Sequence, residues 1–250
     1  MGVRYRGVLF DLFGTLVHFD AGRLPTLALE GQRLRTTVGG LTALLTEWVP
    51  GVTPVAFARA LFTVSEEMAR ARADDHVERP SRERFRRALE RVGCDENHLA
   101  EAAVCLSRAH LDLVAAATLF PADHAALLAS LRGRYRCGVV SNFDDTAAGY
   151  GILLRHGIAE AFDTVVISEA VGLRKPHPAL VRMGVRGLGL APGEVLFVGD
   201  TFGDDVAAAG AAGVDAAWIA GPDAGIPVGM APPRFVIRAL PELAGILAGG

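Results

Sequence analysis

The sequence predicts an α/β protein: a parallel sheet covered by helices, interrupted after its first strand by a helical block. Three observations carry this. The run Val8-Leu9-Phe10 is wholly apolar and stops on Asp11, as a strand buried on both faces would. From Phe120 onward short apolar runs alternate with helical stretches, the pattern of βαβ units. Between these two regions, from about residue 20 to 118, no strand pattern is legible.

Taken in order, the first strand leads through Asp11 to Gly14-Thr15, where glycine permits a sharp turn. Leu24 to Trp48 reads as a helical pair broken near Gly39-Gly40. Thr53-Pro54 starts a helix, with a capping residue and then a first-turn proline, running to about Arg72. Asp74 and Asp75 open a polar loop through Pro80. Ser81 caps the next helix, with Phe85, Leu89 and Val92 on its apolar stripe and Gly93 as its stop. Asp95 opens another, with Leu99, Val104, Leu106, Leu111 and Val114 apolar. In the alternating part, helices are expected at Ala122 to Leu131, Thr146 to His156, Pro178 to Gly187 and Val206 to Ala212. Strands are expected at Cys137 to Val140, Asp163 to Ile167, Glu194 to Val198, Asp215 to Ile219 and Arg234 to Ile237. Gly221 to Pro233, rich in Gly and Pro, reads as a loop.

Composition narrows the function classes. The 250 residues are 51% hydrophobic and 21% charged, as in a globular chain rather than a disordered one. No apolar run reaches the roughly 18 residues of a membrane span. The N-terminal Met1-Gly2-Val3-Arg4-Tyr5-Arg6 has no apolar segment of a signal peptide. Cys94, Cys105 and Cys137 form no CxxC, and a reducing cytoplasm is expected. Net charge is −3, and the basic stretch from Arg79 to Arg91 is interleaved with Glu78, Glu83 and Glu90. It reads as a solvated helix face, not a nucleic-acid or membrane surface. Of the 25 basic residues, 24 are Arg and one is Lys, Lys175. A single lysine amid such arginine usage suggests a position that needs a compact ammonium.

Polar residues stand where three core strands end: Asp11, Ser141-Asn142 and Asp200. Gly172-Leu173-Arg174-Lys175-Pro176 follows a fourth, and Asp204-Asp205 lie in the turn after Asp200. Strand ends of a doubly wound sheet share one edge, where ligands bind. Asp11, Asp200 and Asp205 together would repel one another unless a cation joined them. Oxygen ligands of this kind suit Mg²⁺.

These four segments resemble the four motifs of the haloacid dehalogenase-like hydrolase superfamily: Asp11-Leu-Phe-Gly-Thr-Leu16, Ser141-Asn142, Lys175 and Gly199-Asp-Thr-Phe-Gly-Asp-Asp205. The resemblance implies a Rossmann-like core, residues 1–18 and 119–250, with a helical cap inserted at residues 19–118. It implies that Asp11 is a nucleophile forming a covalent aspartyl intermediate. Mg²⁺ would be held by Asp11, the Phe13 carbonyl and Asp200. Asp205 would support a metal-bound water or orient Lys175. Thr15, Ser141, Asn142 (through its backbone N–H) and Lys175 would meet a small, phosphorylated substrate, with Lys175 steadying Asp11.

One position departs. Phosphatases of the superfamily usually carry a second Asp two residues after the nucleophile, as general acid and base; here it is Phe13. A catalyst of that kind contributes about 10²–10⁴-fold, so leaving groups that need no proton, such as acyl phosphates, are favoured. The dehalogenase branch carries Tyr there, and Arg35 with Gln32 nearby could meet a carboxylate or halide. Gly199-Asp200, a metal-site signature, argues against that branch. Mg²⁺-dependent phosphoryl hydrolysis is therefore ranked ahead of 2-haloacid dehalogenation and of a catalytically feeble binding or regulatory protein. His18 reads as a loop residue and His177 as a helix-start residue. His76, His98, His110, His124 and His156 lack metal-ligand spacing. Trp48 and Trp218 read as packing residues, and Asp144 and Asp145 as helix caps.

Overall fold

A computed structural model describes residues 5–29, 31–222 and 224–249. Readings that fall on residues 1–4, 30, 223 and 250 lie outside the described residues. They comprise the first four residues of the N-terminal segment, one residue of the 24–48 stretch, one of the loop after Gly221 and the last residue of the core. By its contacts the chain divides into two compact units, Met1–His18 with Leu119–Gly250, and Phe19–Thr118.

Strand β1 (Gly7–Phe10) is buried at all four positions, and a short β2 (His18–Phe19) follows. The inserted unit holds β3 (Thr26–Leu29), β4 (Gln32–Arg35), α1 (Thr42–Trp48), α2 (Pro54–Asp75), α3 (Ser81–Arg91) and α4 (Glu96–Ala116). The chain continues with β5 (Thr118–Leu119), at the boundary of the two units, and the first unit goes on through α5 (Ala122–Leu131), β6 (Arg136–Ser141), α6 (Thr146–Arg155) and β7 (Thr164–Ile167). It continues through the single turn α7 (Ser168–Val171), α8 (Ala179–Leu188), β8 (Val195–Gly199) and α9 (Ala207–Ala212). Strands β9 (Asp215–Ile219) and β10 (Phe235–Ile237) and helix α10 (Leu243–Ala248) complete it.

The six-stranded sheet has the order β10-β9-β8-β1-β6-β7, and all its pairings are parallel. The strands build outward from β1 on one side and from β8 on the other, so the order reverses between these two. That reversal is where open α/β sheets bind ligands. The register places Phe10 opposite both Val198 and Val139, which brings the ends of β1, β8 and β6 level. Leu9, Val140, Leu180, Val185, Phe197 and Trp218 belong to one buried core around this sheet. The inserted unit has a core of its own, including Phe57, Val64, Met68, Phe85, Leu89 and Leu106. Each such side chain, fully buried, contributes about 1.5–3 kcal/mol.

The six strands of the sheet and helices α5, α6, α8 and α9 fall where the alternating pattern predicts them, and α7 and α10 are additional to it. The start of the insert differs from its prediction. Leu24 to Trp48 is no helical pair: β3 and β4 form an antiparallel hairpin with Leu29 opposite Gln32. Gly31 takes φ +80° in its turn, a conformation that suits glycine. The Leu, Ala and Arg residues favour helix locally, but the turn and the cross-strand ladder override that weak preference. Among the described residues of this stretch only α1, seven residues long, is α-helical. Helix α2 also runs past Arg72 through Asp75, ending where His76 takes φ 54°, with Arg79 bonded to Asp75 at 2.6 Å. Ser81 does not cap α3; its hydroxyl receives Arg84 instead, at 3.2 Å. Val104, expected on an apolar stripe, is half-exposed.

Candidate active site

Asp11 leaves β1 at the reversal point, its N–H donating to Val198 O at 2.9 Å. The chain then turns at Gly14, φ +77°. A Cβ on Gly14 would lie 2.3 Å from Asp200 Oδ2, so only glycine lets the loop after β1 approach the loop after β8 this closely. Asp200 is fixed from behind by Trp218, whose Nε1 donates to the Asp200 carbonyl at 2.9 Å. Residues Phe202–Val206 form a widened, π-helical turn that presents Asp204 and Asp205. Such turns recur at functional sites.

One carboxylate oxygen from each of Asp11, Asp200 and Asp205 lies within 4.8 Å of the others. Lys175 is 1% exposed. Its Nζ donates to Asp11 Oδ1 at 2.6 Å, Asp205 Oδ1 at 2.6 Å and Val140 O at 2.9 Å. It also lies 5.4 Å from the centre of the Phe197 ring. The other oxygen of Asp205 accepts from Thr201 N at 2.9 Å. Asp205 therefore holds Lys175, while Asp204 bonds Asn142 Nδ2 at 3.1 Å. Nothing in the adjacent pair of acids distinguishes these roles by sequence; the π turn assigns them.

Burial raises Asp11 to about 7, with Lys175 opposing the shift and Asp205 adding to it. Burial also works against the charge on Lys175, yet Asp11 and Asp205 hold its ammonium protonated well above the usual lysine range. Asp200 is raised by burial and by Asp205. Its Oδ1 is buried without a hydrogen-bond partner. A buried carboxylate oxygen left unpaired is costly, and a hard cation beside it removes that cost. The donor set thus fits a divalent cation bound at oxygen. Thr15 is fully buried beside Asp200 without a hydrogen bond of ordinary geometry.

A cavity of about 190 Å³ opens on this cluster, lined by Asp11, Phe13, Ser141, Asn142, Arg174, Lys175, Thr201, Asp204 and Asp205. Phe13 stands in it against Phe143, ring centres 5.2 Å apart. A larger cavity, about 880 Å³, lies at the opposite ends of the strands beside Arg6 and Arg136 and contains none of these acids. Arg35, considered as a ligand for a carboxylate or halide, sits on β4 and donates to Leu24 O at 3.1 Å. His177 Nδ1 accepts from Ala179 N at 3.2 Å, a helix-start contact, and Asp145 caps α6 through Ala148 N at 2.8 Å. The sequence reading missed Trp218 as the anchor of Asp200, and Arg174 and Thr201 as cavity residues. Arg174 and Thr201 stood inside the strand-end segments without a role of their own, whereas Trp218 acts through a contact to the neighbouring strand end that no local pattern marks.

The family described as haloacid dehalogenase-like hydrolase matches residues 5–213. The chain is 31% identical over 214 residues to a phosphoglycolate phosphatase of Salmonella typhi, covering 83% of this chain and 78% of that protein. It is 35% identical over 146 residues to a phosphoserine phosphatase of Thermus thermophilus, 56% of this chain and 55% of that one. In fold it is similar to a 2-haloacid dehalogenase from Pseudomonas syringae, with a TM-score of 0.72 at 23% identity over 98% of this chain and 99% of that one.

Proposed function

The chain belongs to the haloacid dehalogenase-like hydrolases, and from that membership we propose that it is a Mg²⁺-dependent phosphatase for a small phosphorylated metabolite, with Asp11 as nucleophile. The observation that carries this reading is the cluster of Asp11, Asp200 and Asp205 around an unpartnered buried oxygen. The phosphatase relatives at 31% and 35% identity support it.

Asp11, the Phe13 carbonyl and Asp200 would hold the cation, with Asp205 beside them. Bound there, Mg²⁺ neutralises the acids and the phosphoryl oxygens. Lys175 takes Asp11 Oδ1, which leaves Oδ2 to attack phosphorus. The Asp11–phosphorus bond forms as the bond to the leaving oxygen breaks, and water then hydrolyses the aspartyl phosphate. Ser141 and the Asn142 backbone N–H are assigned to the phosphoryl oxygens; Thr15, expected to join them, is fully buried and lies outside the lining of the cavity. Lys175 offsets the negative charge that Asp11 would otherwise present to a phosphate. The Phe13 side chain has no proton to give, so acyl phosphates and other good leaving groups are preferred over alkyl esters. The inserted unit is assigned the part of a cap that selects the substrate. The three free cysteines accord with a cytoplasmic enzyme.

Phe13 also suits a halide leaving group, which departs without a proton, so 2-haloacid hydrolysis is the second reading; the acidic cluster stands against it. The test is a screen of phosphate esters, acyl phosphates and 2-haloacids with and without Mg²⁺. Mg²⁺-dependent phosphate release that Asp11→Asn abolishes, with the melting curve intact, is the expected outcome. Metal-independent halide release overturns it in favour of the second reading. Asp11→Asn activity above about a tenth of wild type excludes Asp11 as the nucleophile.

A further inference from the structure

We propose that the Asn142 side chain is a positioning residue, which locks the backbone of Lys175 so that its ammonium stays between Asp11 and Asp205. The proposal rests on Asp11 being the nucleophile, but its test can be read without turnover. Lys175 lies in the loop between α7 and α8, so no helix or strand fixes its backbone. Asn142 does. Its Oδ1 accepts from Lys175 N at 2.7 Å, and its Nδ2 donates to Lys175 O at 3.0 Å. The side-chain amide thus pairs with both backbone groups of one residue, as a neighbouring strand would. The second Nδ2 hydrogen goes to Asp204 Oδ2 at 3.1 Å.

Both donors of the amide are then spent inside the protein, and none remains for a substrate oxygen or a halide. Asp204 and Asp205 share the turn Phe202–Val206, and Asp205 is the carboxylate that Lys175 Nζ meets at 2.6 Å. Asn142 therefore holds the lysine loop and the turn carrying its acceptor against each other. Four methylenes separate the Lys175 backbone from its ammonium, so a small slip of the loop would carry the ammonium off three contacts of 2.6, 2.6 and 2.9 Å. A misplacement of about 1 Å can cost about 10²-fold in rate.

The composition supplies the probe. Lys175 is the only lysine of the chain, so protein labelled with ¹⁵N-lysine shows one backbone amide signal, that of Lys175. In Asn142→Ala, hydrogen exchange at that amide should quicken by about tenfold, the effect of losing one ordinary hydrogen bond. kcat should fall by about 10²-fold with KM little changed. Asn142→Asp keeps the acceptor for Lys175 N–H but loses the donor and sets a second carboxylate against Asp204. It should keep the slow exchange of the amide while losing activity, and it serves if the alanine variant does not fold. Unchanged exchange in Asn142→Ala overturns the proposal. So does a rise in KM alone, which would mean that Asn142 touches substrate. If the wild type hydrolyses no phosphorylated compound yet exchange depends on Asn142 as expected, the phosphatase reading falls and the positioning role stands.

Discussion

At the scale of single residues, the proposed chemistry turns on Phe13 and Lys175. Phe13 is only partly buried and packs on Phe143, so replacing it forfeits about 0.5–1.5 kcal/mol of ring contact, not a core side chain. Phe13→Asp should therefore fold and raise turnover of an alkyl phosphate by up to about 10²–10⁴-fold, with a much smaller gain on an activated aryl phosphate. The measurement is the ratio of the two rates in Mg²⁺; an unchanged ratio in a folded variant means that no acid is missing at this position. Lys175→Arg keeps the charge but not the shape. An ammonium with 1% exposure and three oxygen partners within 2.9 Å leaves no room for a planar fork. Turnover should drop by at least about 10²-fold, and near-normal rates would make the lone lysine an accident of composition.

At the scale of elements, the inserted unit carries a buried polar contact that should make it acid-sensitive. Arg84, always a donor, gives Nη2–H to His110 Nε2 at 3.1 Å, so Nδ1 carries the ring proton and meets Thr37 Oγ1 at 2.7 Å. Burial and Arg84 lower His110 from 6.5 to about 3. The unfolded chain therefore binds a proton below about 6.5 that the folded chain refuses until about 3. Stability from this site is full above 6.5 and is lost as pH falls between these values, by at most about 1.4 kcal/mol per pH unit. Melting curves from pH 7 to 4 should show this slope, and His110→Gln, which does not titrate, should flatten it. An equal slope in both proteins would place the acid sensitivity elsewhere.

At the scale of the whole molecule, one sheet reversal gathers groups from residues 11 to 205 while the inserted unit keeps a separate core. A cation that binds the folded state alone stabilises it by mass action. Millimolar Mg²⁺ should raise the melting temperature of wild type, and Asp200→Ala should abolish the rise. An equal rise in that variant would remove Asp200 from the metal site, and no rise in wild type would weaken the Mg²⁺ reading. The closed apposition of the two strand-end loops at Gly14 and Asp200 brings together carboxylates that are 189 positions apart in the chain (200 − 11), as one bound ion would require.

The sequence by itself determined the sheet and the residues at its edge. Strand burial on both faces leaves apolar runs, as at Val8 to Phe10 and Val195 to Val198, and polar residues at their ends stand out against them. It did not determine the hairpin of β3 and β4, because Leu, Ala and Arg favour helix weakly and a ladder between strands is a property of two segments. Nor did it determine which of Asp204 and Asp205 would meet Lys175, or that the Asn142 side chain would turn from the cavity to the Lys175 backbone. Those outcomes depend on hydrogen bonds between residues 30, 33 and 62 positions apart. Local patterns record which face of an element is buried, whereas the partner of a polar group is fixed only when distant loops are brought to the same edge.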